Sequence, residues 1–302
     1  MKKHFPVYIP FLIFLIGTVA YNLAKGNCNF LKNNSKYNGG IEVNRKKRLT
    51  TKVHLTKSTF TTITDERLLI QNVPQGKPSQ ILKREGYIVS YNYETHIPNW
   101  VAWHLKAQHT TGPYKREGIE FQEDIEAKGV RVTTFDYSRS GYDRGHMCPS
   151  ADNKWSRRAQ EQSFLLTNVC PQNHGLNVGD WNEMEKQCRK WAKVYGSIYI
   201  VAGPILYHQK HKTIGKSKVV VPDAFFKVIL CMEGTIKAIG FIYKNKSGNR
   251  PKGDYVNSVD QIEHITGIDF FSSLPDTIET RIEAKTWLFP NRSAKSWWCL
   301  TP

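Results

Sequence analysis

Tyr142-Asp143-Arg144-Gly145-His146-Met147 is followed about twenty residues later by Thr167-Asn168-Val169-Cys170-Pro171-Gln172, then by Leu176-Asn177-Val178-Gly179-Asp180-Trp181 and Glu185. Beyond Gly179 the apolar residues Trp181, Met184, Cys188, Trp191 and Tyr195 recur at helical spacing, which predicts an amphipathic helix. Glu185 stands eight residues after Asn177, slightly over two helical turns, so the two share a side if that helix begins near Asn177. His146, with an ordinary pKa of ~6.5, is mostly neutral near pH 7 and so able to accept a proton. A lysine or arginine there would stay protonated.

The flanks supply strands. Tyr87–Tyr93 alternates in polarity and Trp100–Leu105 reads as its partner. Ser197–Val201, Val219–Val221, Phe225–Cys231 and Thr235–Tyr243 are further strand candidates, and a second helix opens at Ser258-Val259-Asp260-Gln261-Ile262-Glu263. Trp100, Trp103, Trp181 and Trp191 fall at core-like spacings. These segments predict a mixed α+β domain, a mainly antiparallel sheet with helices.

Of the 302 residues 40% are hydrophobic and 12% aromatic, which excludes a disordered or collagen-like chain. The net charge of +17 points to acidic polymers or anionic membranes as partners. It divides unevenly: residues 1–60 carry +10 and the remainder +7. Residues 1–24, with Lys2 and Lys3 before an uncharged run from Phe5 to Ala24, read as a signal peptide or a membrane anchor. Residues 25–60, including Arg45-Lys46-Lys47-Arg48, read as a basic flexible tether, and residues 61–302 as one folded domain. The expected location is therefore exported: secreted, periplasmic, or held at the membrane by the N-terminal segment.

Six cysteines at 28, 148, 170, 188, 231 and 299 include no C-x-x-C pair, which argues against structural zinc and thioredoxin-type chemistry. In an exported chain they permit disulfides, Cys148 with Cys170 being one candidate and buried thiols the other reading. P-loop, G-x-G-x-x-G, H-E-x-x-H and G-x-S-x-G motifs are absent, which removes several reaction classes.

The ordered set Asp-Arg-Gly-His, Asn-x-x-Pro-Gln and Leu-Asn-x-Gly-x-Trp-x-x-x-Glu resembles the DNA/RNA non-specific endonuclease family, nucleases with a ββα-metal catalytic core. Asn99–Trp103, Val201–Pro204, Val221–Val228 and Ser258–Phe271 extend the resemblance over roughly residues 80 to 290. It implies a metal-dependent endonuclease that hydrolyses DNA and RNA to 5′-phosphate and 3′-hydroxyl ends. It also implies His146 as general base, Asn177 as ligand to Mg²⁺ (Mn²⁺ being the substitute), and Glu185 as holder of the metal's waters. Asn168 would position the base or the scissile group. Arg116 would meet charge in the transition state, with Lys115 as fallback, and Arg144 and Lys115 would bind substrate. Where the family commonly has Asp-Pro downstream of that arginine, this chain has Glu123-Asp124-Ile125, so the loop aligns loosely. Implied partners are DNA and RNA, with little sequence specificity, and a divalent metal, with membrane association through the N-terminus. A catalytically inactive, membrane-tethered nucleic-acid binder is the alternative from another class, and a toxin domain held by an inhibitor is a third.

Overall fold

The computed structural model describes residues 65–248 and 251–284. The expected signal or anchor, the tether, Cys28 and Cys299 lie outside the described residues. Among the described residues, no helix is long and apolar enough to cross a membrane.

Eleven strands are formed among these residues: β1 (Gln80–Lys83), β2 (Ile88–Asn92), β3 (Ile97–Lys106), β4 (Asp143–His146), β5 (Val169–Gln172), β6 (Ser197–Ile205), β7 (Thr213–Ile214), β8 (Val219–Val220), β9 (Ala224–Cys231), β10 (Lys237–Lys244) and β11 (Val256–Asn257). Seven of them make one sheet in the order β1-β2-β3-β6-β9-β10-β11, and every pairing in it is antiparallel. The predicted partnership of the first two long strands holds, with Ile88 opposite Ala102 and Val89 opposite Val101. The expected strand Val219–Val221 is shorter, and it pairs with β7 outside the main sheet.

Both faces of the sheet are covered, so its central strands are buried along their length. In β3, Val101, Trp103 and Leu105 enter one core while Trp100 and Ala102 enter the other. In β9 the same alternation sends Phe225 and Ile229 one way and Phe226, Val228 and Leu230 the other. The four tryptophans named above are fully buried. Each such side chain withdraws ~150–250 Å² from water, several kcal/mol at ~25 cal/mol per Å².

The first face carries the β4–β5 hairpin and the helix after it, α2 (Asn182–Tyr195), which buries Met184, Cys188, Trp191 and Ala192. A shorter helix, α1 (Arg157–Ser163), capped by the Ser156 hydroxyl, lies between the two hairpin strands in sequence. The second face carries α3 (Val259–Thr266) and α4 (Asp276–Glu283), which contribute Ile262, Ile278 and Ile282 to the second core. Ser258 and Gln261 close a reciprocal cap on α3. The helix stops at Gly267, whose φ of +68° favours glycine.

The Cys148–Cys170 disulfide is not formed: both are free thiols in the first core, as are Cys188 and Cys231 where they are buried. The described fold holds by packing.

Candidate active site

His146 ends β4, and the residue before it explains why that strand can lie so close to its partner. A Cβ on Gly145 would stand 2.3 Å from Gln172 Oε1 and 2.6 Å from Gln172 Cβ, so the hairpin admits only glycine there. The His146 carbonyl accepts a hydrogen bond from Trp181 Nε1 at 3.2 Å, tying the strand end to the helical segment behind it. The imidazole packs against the rings of Phe121 and Phe164, each centroid 5.0 Å away, and those two rings touch each other with centroids 5.2 Å apart. Its Nε2 is buried and has no hydrogen-bond partner among the described residues. Burial, and after it the charge of Arg116, pull the imidazole down to about 3, which leaves it neutral at neutral pH.

Asn177 does not lie on a continuous helix with Glu185, as the spacing argument supposed. Asn177–Trp181 is a separate wide turn, broken at Gly179, where the backbone leaves helical geometry before α2 begins. Both side chains nevertheless line one cleft together with His146. Asn177 donates from Nδ2 to Asp143 Oδ2 at 2.8 Å, and the same carboxylate oxygen lies 2.9 Å from His174 Nδ1. That commitment fixes the amide and leaves Asn177 Oδ1 available to a cation. Glu185 makes no hydrogen bond to a described residue. Burial raises its carboxyl to about 7, against the opposing charges of Lys227 and Arg189. A neutral amide oxygen and a carboxylate facing a polar cleft fit a hard, water-retaining divalent ion such as Mg²⁺.

The cleft encloses about 1140 Å³. Lys115, Arg116, Arg139, Arg144, Lys154 and Arg189 line it, against Glu117, Asp143 and Glu185, so its walls are cationic. Arg144 lies over the Phe121 ring at 5.0 Å and Arg116 over Phe164 at 5.7 Å, so the two phenyl rings that flank His146 each carry an arginine. Lys115, Arg116 and Arg144 are thus brought together with His146, Asn177 and Glu185.

Asn168 is not brought to this group. Its Oδ1 accepts from Cys148 N at 2.9 Å, and its Nδ2 donates to the carbonyls of Cys148 and Ser163, both at 2.8 Å. With its amide fully used on backbone, it positions the chain just beyond His146 and has nothing left for a scissile group. The loosely aligned loop is also explained: Asp124 takes both oxygens to Arg84 Nη2, at 2.8 and 2.7 Å, and accepts from the Thr167 hydroxyl at 2.6 Å. It anchors the segment that carries Lys115 and Arg116.

Three contributors escaped the sequence reading. Phe135 stands at the cleft with 84% of its surface exposed. Arg189 lines the cleft while Nη1 bonds Asp152 Oδ1 at 2.9 Å, and Trp103 Nε1 donates to the other oxygen of Asp152 at 3.1 Å. Lys227, 0% exposed, has a Nζ without a hydrogen-bond partner, 4.1 Å from the centroid of the Trp181 ring and 5.7 Å from that of Trp103. A lone lysine inside Ala224-Phe225-Phe226-Lys227-Val228-Ile229-Leu230 was the visible signal for the last of these.

Comparison with known proteins gives a consistent result. The model of the DNA/RNA non-specific endonuclease family matches residues 64–277. A nuclease of Nostoc sp. strain PCC 7120 is 32% identical over 238 residues, 72% of this chain and 85% of that protein. Mitochondrial endonuclease G of Homo sapiens is 30% identical over 210 residues, 65% of this chain and 71% of that protein. Among solved structures, that of an EndoG/EndoGI complex, concerned with EndoG inhibition, aligns with a TM-score of 0.63 and 27% identity over 66% of this chain and 88% of that one. With a family match spanning most of the folded chain and the mixed antiparallel fold it leads one to expect, this chain belongs to the DNA/RNA non-specific endonuclease family and is a nuclease.

Proposed function

We propose that the protein is a metal-dependent, sugar-non-specific endonuclease that cuts DNA and RNA to 5′-phosphate and 3′-hydroxyl ends, with Mg²⁺ as its ion and Mn²⁺ as substitute. The observation that carries this reading is the neutral imidazole of His146 on the wall of a cationic cleft that Asn177 and Glu185 also line. Phosphodiesters are inert and their transition states gain negative charge, so the site must activate water and stabilise oxygen anions. His146 takes the proton of the attacking water at Nδ1, the ring nitrogen left open to the cleft, since Nε2 is sealed from solvent. Asn177 Oδ1 would hold the ion, and Glu185 would orient its waters. A divalent ion bound there supplies Lewis-acid stabilisation of the phosphoryl and leaving 3′ oxygens. Arg116 and Lys115 meet the charge on the phosphoryl group, and Arg144 holds a neighbouring phosphate.

Phe135 offers an exposed face on which a base can stack. Every base has such a face, and phosphate contacts read no sequence, so both features suit DNA and RNA alike. The uncharged run from Phe5 to Ala24 supports a place outside the cytoplasm, secreted, periplasmic or membrane-held. The inactive-binder reading is disfavoured, because His146, Asn177 and Glu185 are all present and converge on one cleft.

Plasmid nicking by His146→Ala tests the assignment. General-base catalysis contributes ~10²–10⁴-fold, so the variant should lose at least ~100-fold in rate yet shift DNA on a gel as wild type does. EDTA should abolish wild-type cleavage. Unchanged turnover by the variant refutes the role of His146, and EDTA-resistant nicking refutes the metal.

A further inference from the structure

On the face of the sheet away from the cleft, α3 and α4 bring acidic side chains together in a chain whose net charge is +17. Asp260 and Glu263, three residues apart, lie on one side of α3, and Glu283 is the last residue of α4. One carboxylate oxygen from each of the three can be chosen so that all lie within 4.8 Å of one another. Glu283 is only 6% exposed, and its Oε1 is buried without a hydrogen-bond partner among the described residues. The charges that face it most strongly are Glu263, Glu279, Asp260 and Asp269, all acidic. Glu279 Oε1 is likewise buried and unpartnered among the described residues.

Such a cluster costs stability unless something positive sits in it, since an unpaired buried carboxylate loses hydration and like charges repel. The C-terminal end of α4 adds to that cost, because its carbonyls disfavour an anion at Glu283. The donors are all hard oxygens, which select calcium or magnesium over zinc or copper. Calcium takes ~6–8 oxygens in flexible geometry, whereas magnesium demands a near-ideal octahedron, so carboxylates brought from two separate helices suit calcium. Asp260 is exposed, so the cluster opens to water on that side, which supplies further ligands and a way in.

We propose that Asp260, Glu263 and Glu283 form a calcium-binding site, separate from the catalytic cleft, that joins α3 to α4. The ion replaces repulsion between the two helices with a shared ligand and so holds α4 on the second core. Binding is expected to be of the modest kind, with Kd in the ~10⁻⁴–10⁻³ M range.

Thermal unfolding of the full-length protein in EDTA and in saturating calcium tests this. Wild type should gain several degrees in Tm with calcium. Asn177→Ala, which removes the ligand in the cleft, should gain as much as wild type. Glu283→Gln should gain little, while its Tm in EDTA equals or exceeds that of wild type because repulsion is relieved. Asp260→Asn, an exposed change that leaves packing alone, should behave as Glu283→Gln. No rise in wild type overturns the site, and so does a rise that survives in Glu283→Gln but vanishes in Asn177→Ala. A Tm that falls equally with and without calcium in both acidic variants also overturns it, and would point to a basic side chain of the protein among the carboxylates.

Discussion

At His146, neutrality has two sources that mutation separates: burial, which is larger, and the guanidinium of Arg116. Arg116 also works, with Lys227 and Arg189, against the rise that burial imposes on the Glu185 carboxyl. Removing it raises both groups: the imidazolium becomes easier to form and the Glu185 carboxylate easier to protonate. Arg116→Gln should therefore move the acid limb of the kcat–pH profile to higher pH, besides lowering the plateau through lost stabilisation of the phosphoryl group. Arg116→Lys should keep the limb near its wild-type position. An unmoved limb in Arg116→Gln would sink this electrostatic account. His146, Asn177, Glu185 and Arg116 were legible because the motif names them, whereas Asn168 was legible only as a residue. Whether its amide faces a cleft or a backbone is decided by Cys148 and Ser163, which the motif does not encode. Phe135 was invisible for the same reason, since exposure is a property of the assembled surface.

Among the elements, the strands were the most legible, because β-branched and aromatic runs bounded by turns survive burial on both faces. The break at Gly179 was not, since periodicity from Trp181 onward says nothing about the turn before it. The loop carrying Lys115 and Arg116 holds its place through Asp124, and the Arg84–Asp124 pair is almost wholly buried. Asp124→Asn leaves a buried guanidinium poorly matched, which should cost ~3–5 kcal/mol in urea unfolding and reduce cleavage further than stability alone explains. Glu126→Gln, on the exposed partner of the same arginine, should cost under ~1 kcal/mol. Strand β9 makes a different contribution through Lys227. Its charge lowers the Glu185 pKa, so Lys227→Met should raise that pKa above about 7 and depress kcat at neutral pH. The loss should be recovered at higher pH with KM little changed, and a uniform loss across pH would mean that Lys227 only packs.

For the whole molecule, composition indicated a polyanionic partner but not where the charge would matter. The fold sorts it: six basic side chains line the cleft, one lysine is sealed beneath it, and the back of the sheet gathers acids. Surface contacts to phosphate are screened and release counterions, so substrate affinity should fall steeply with salt. Arg144→Ala should reduce the slope of log K against log salt by ~1, equally for DNA and RNA. A slope unchanged in that variant would remove Arg144 from the phosphate path. Lys227 lies out of reach of dissolved ions, between two indoles, and its influence on Glu185 is not screened in that way. Ionic strength should then throttle capture and leave turnover of captured strands untouched. In a brine the enzyme would become selective for long polymers, which re-engage before drifting off, and in fresh water it would clear short fragments as well.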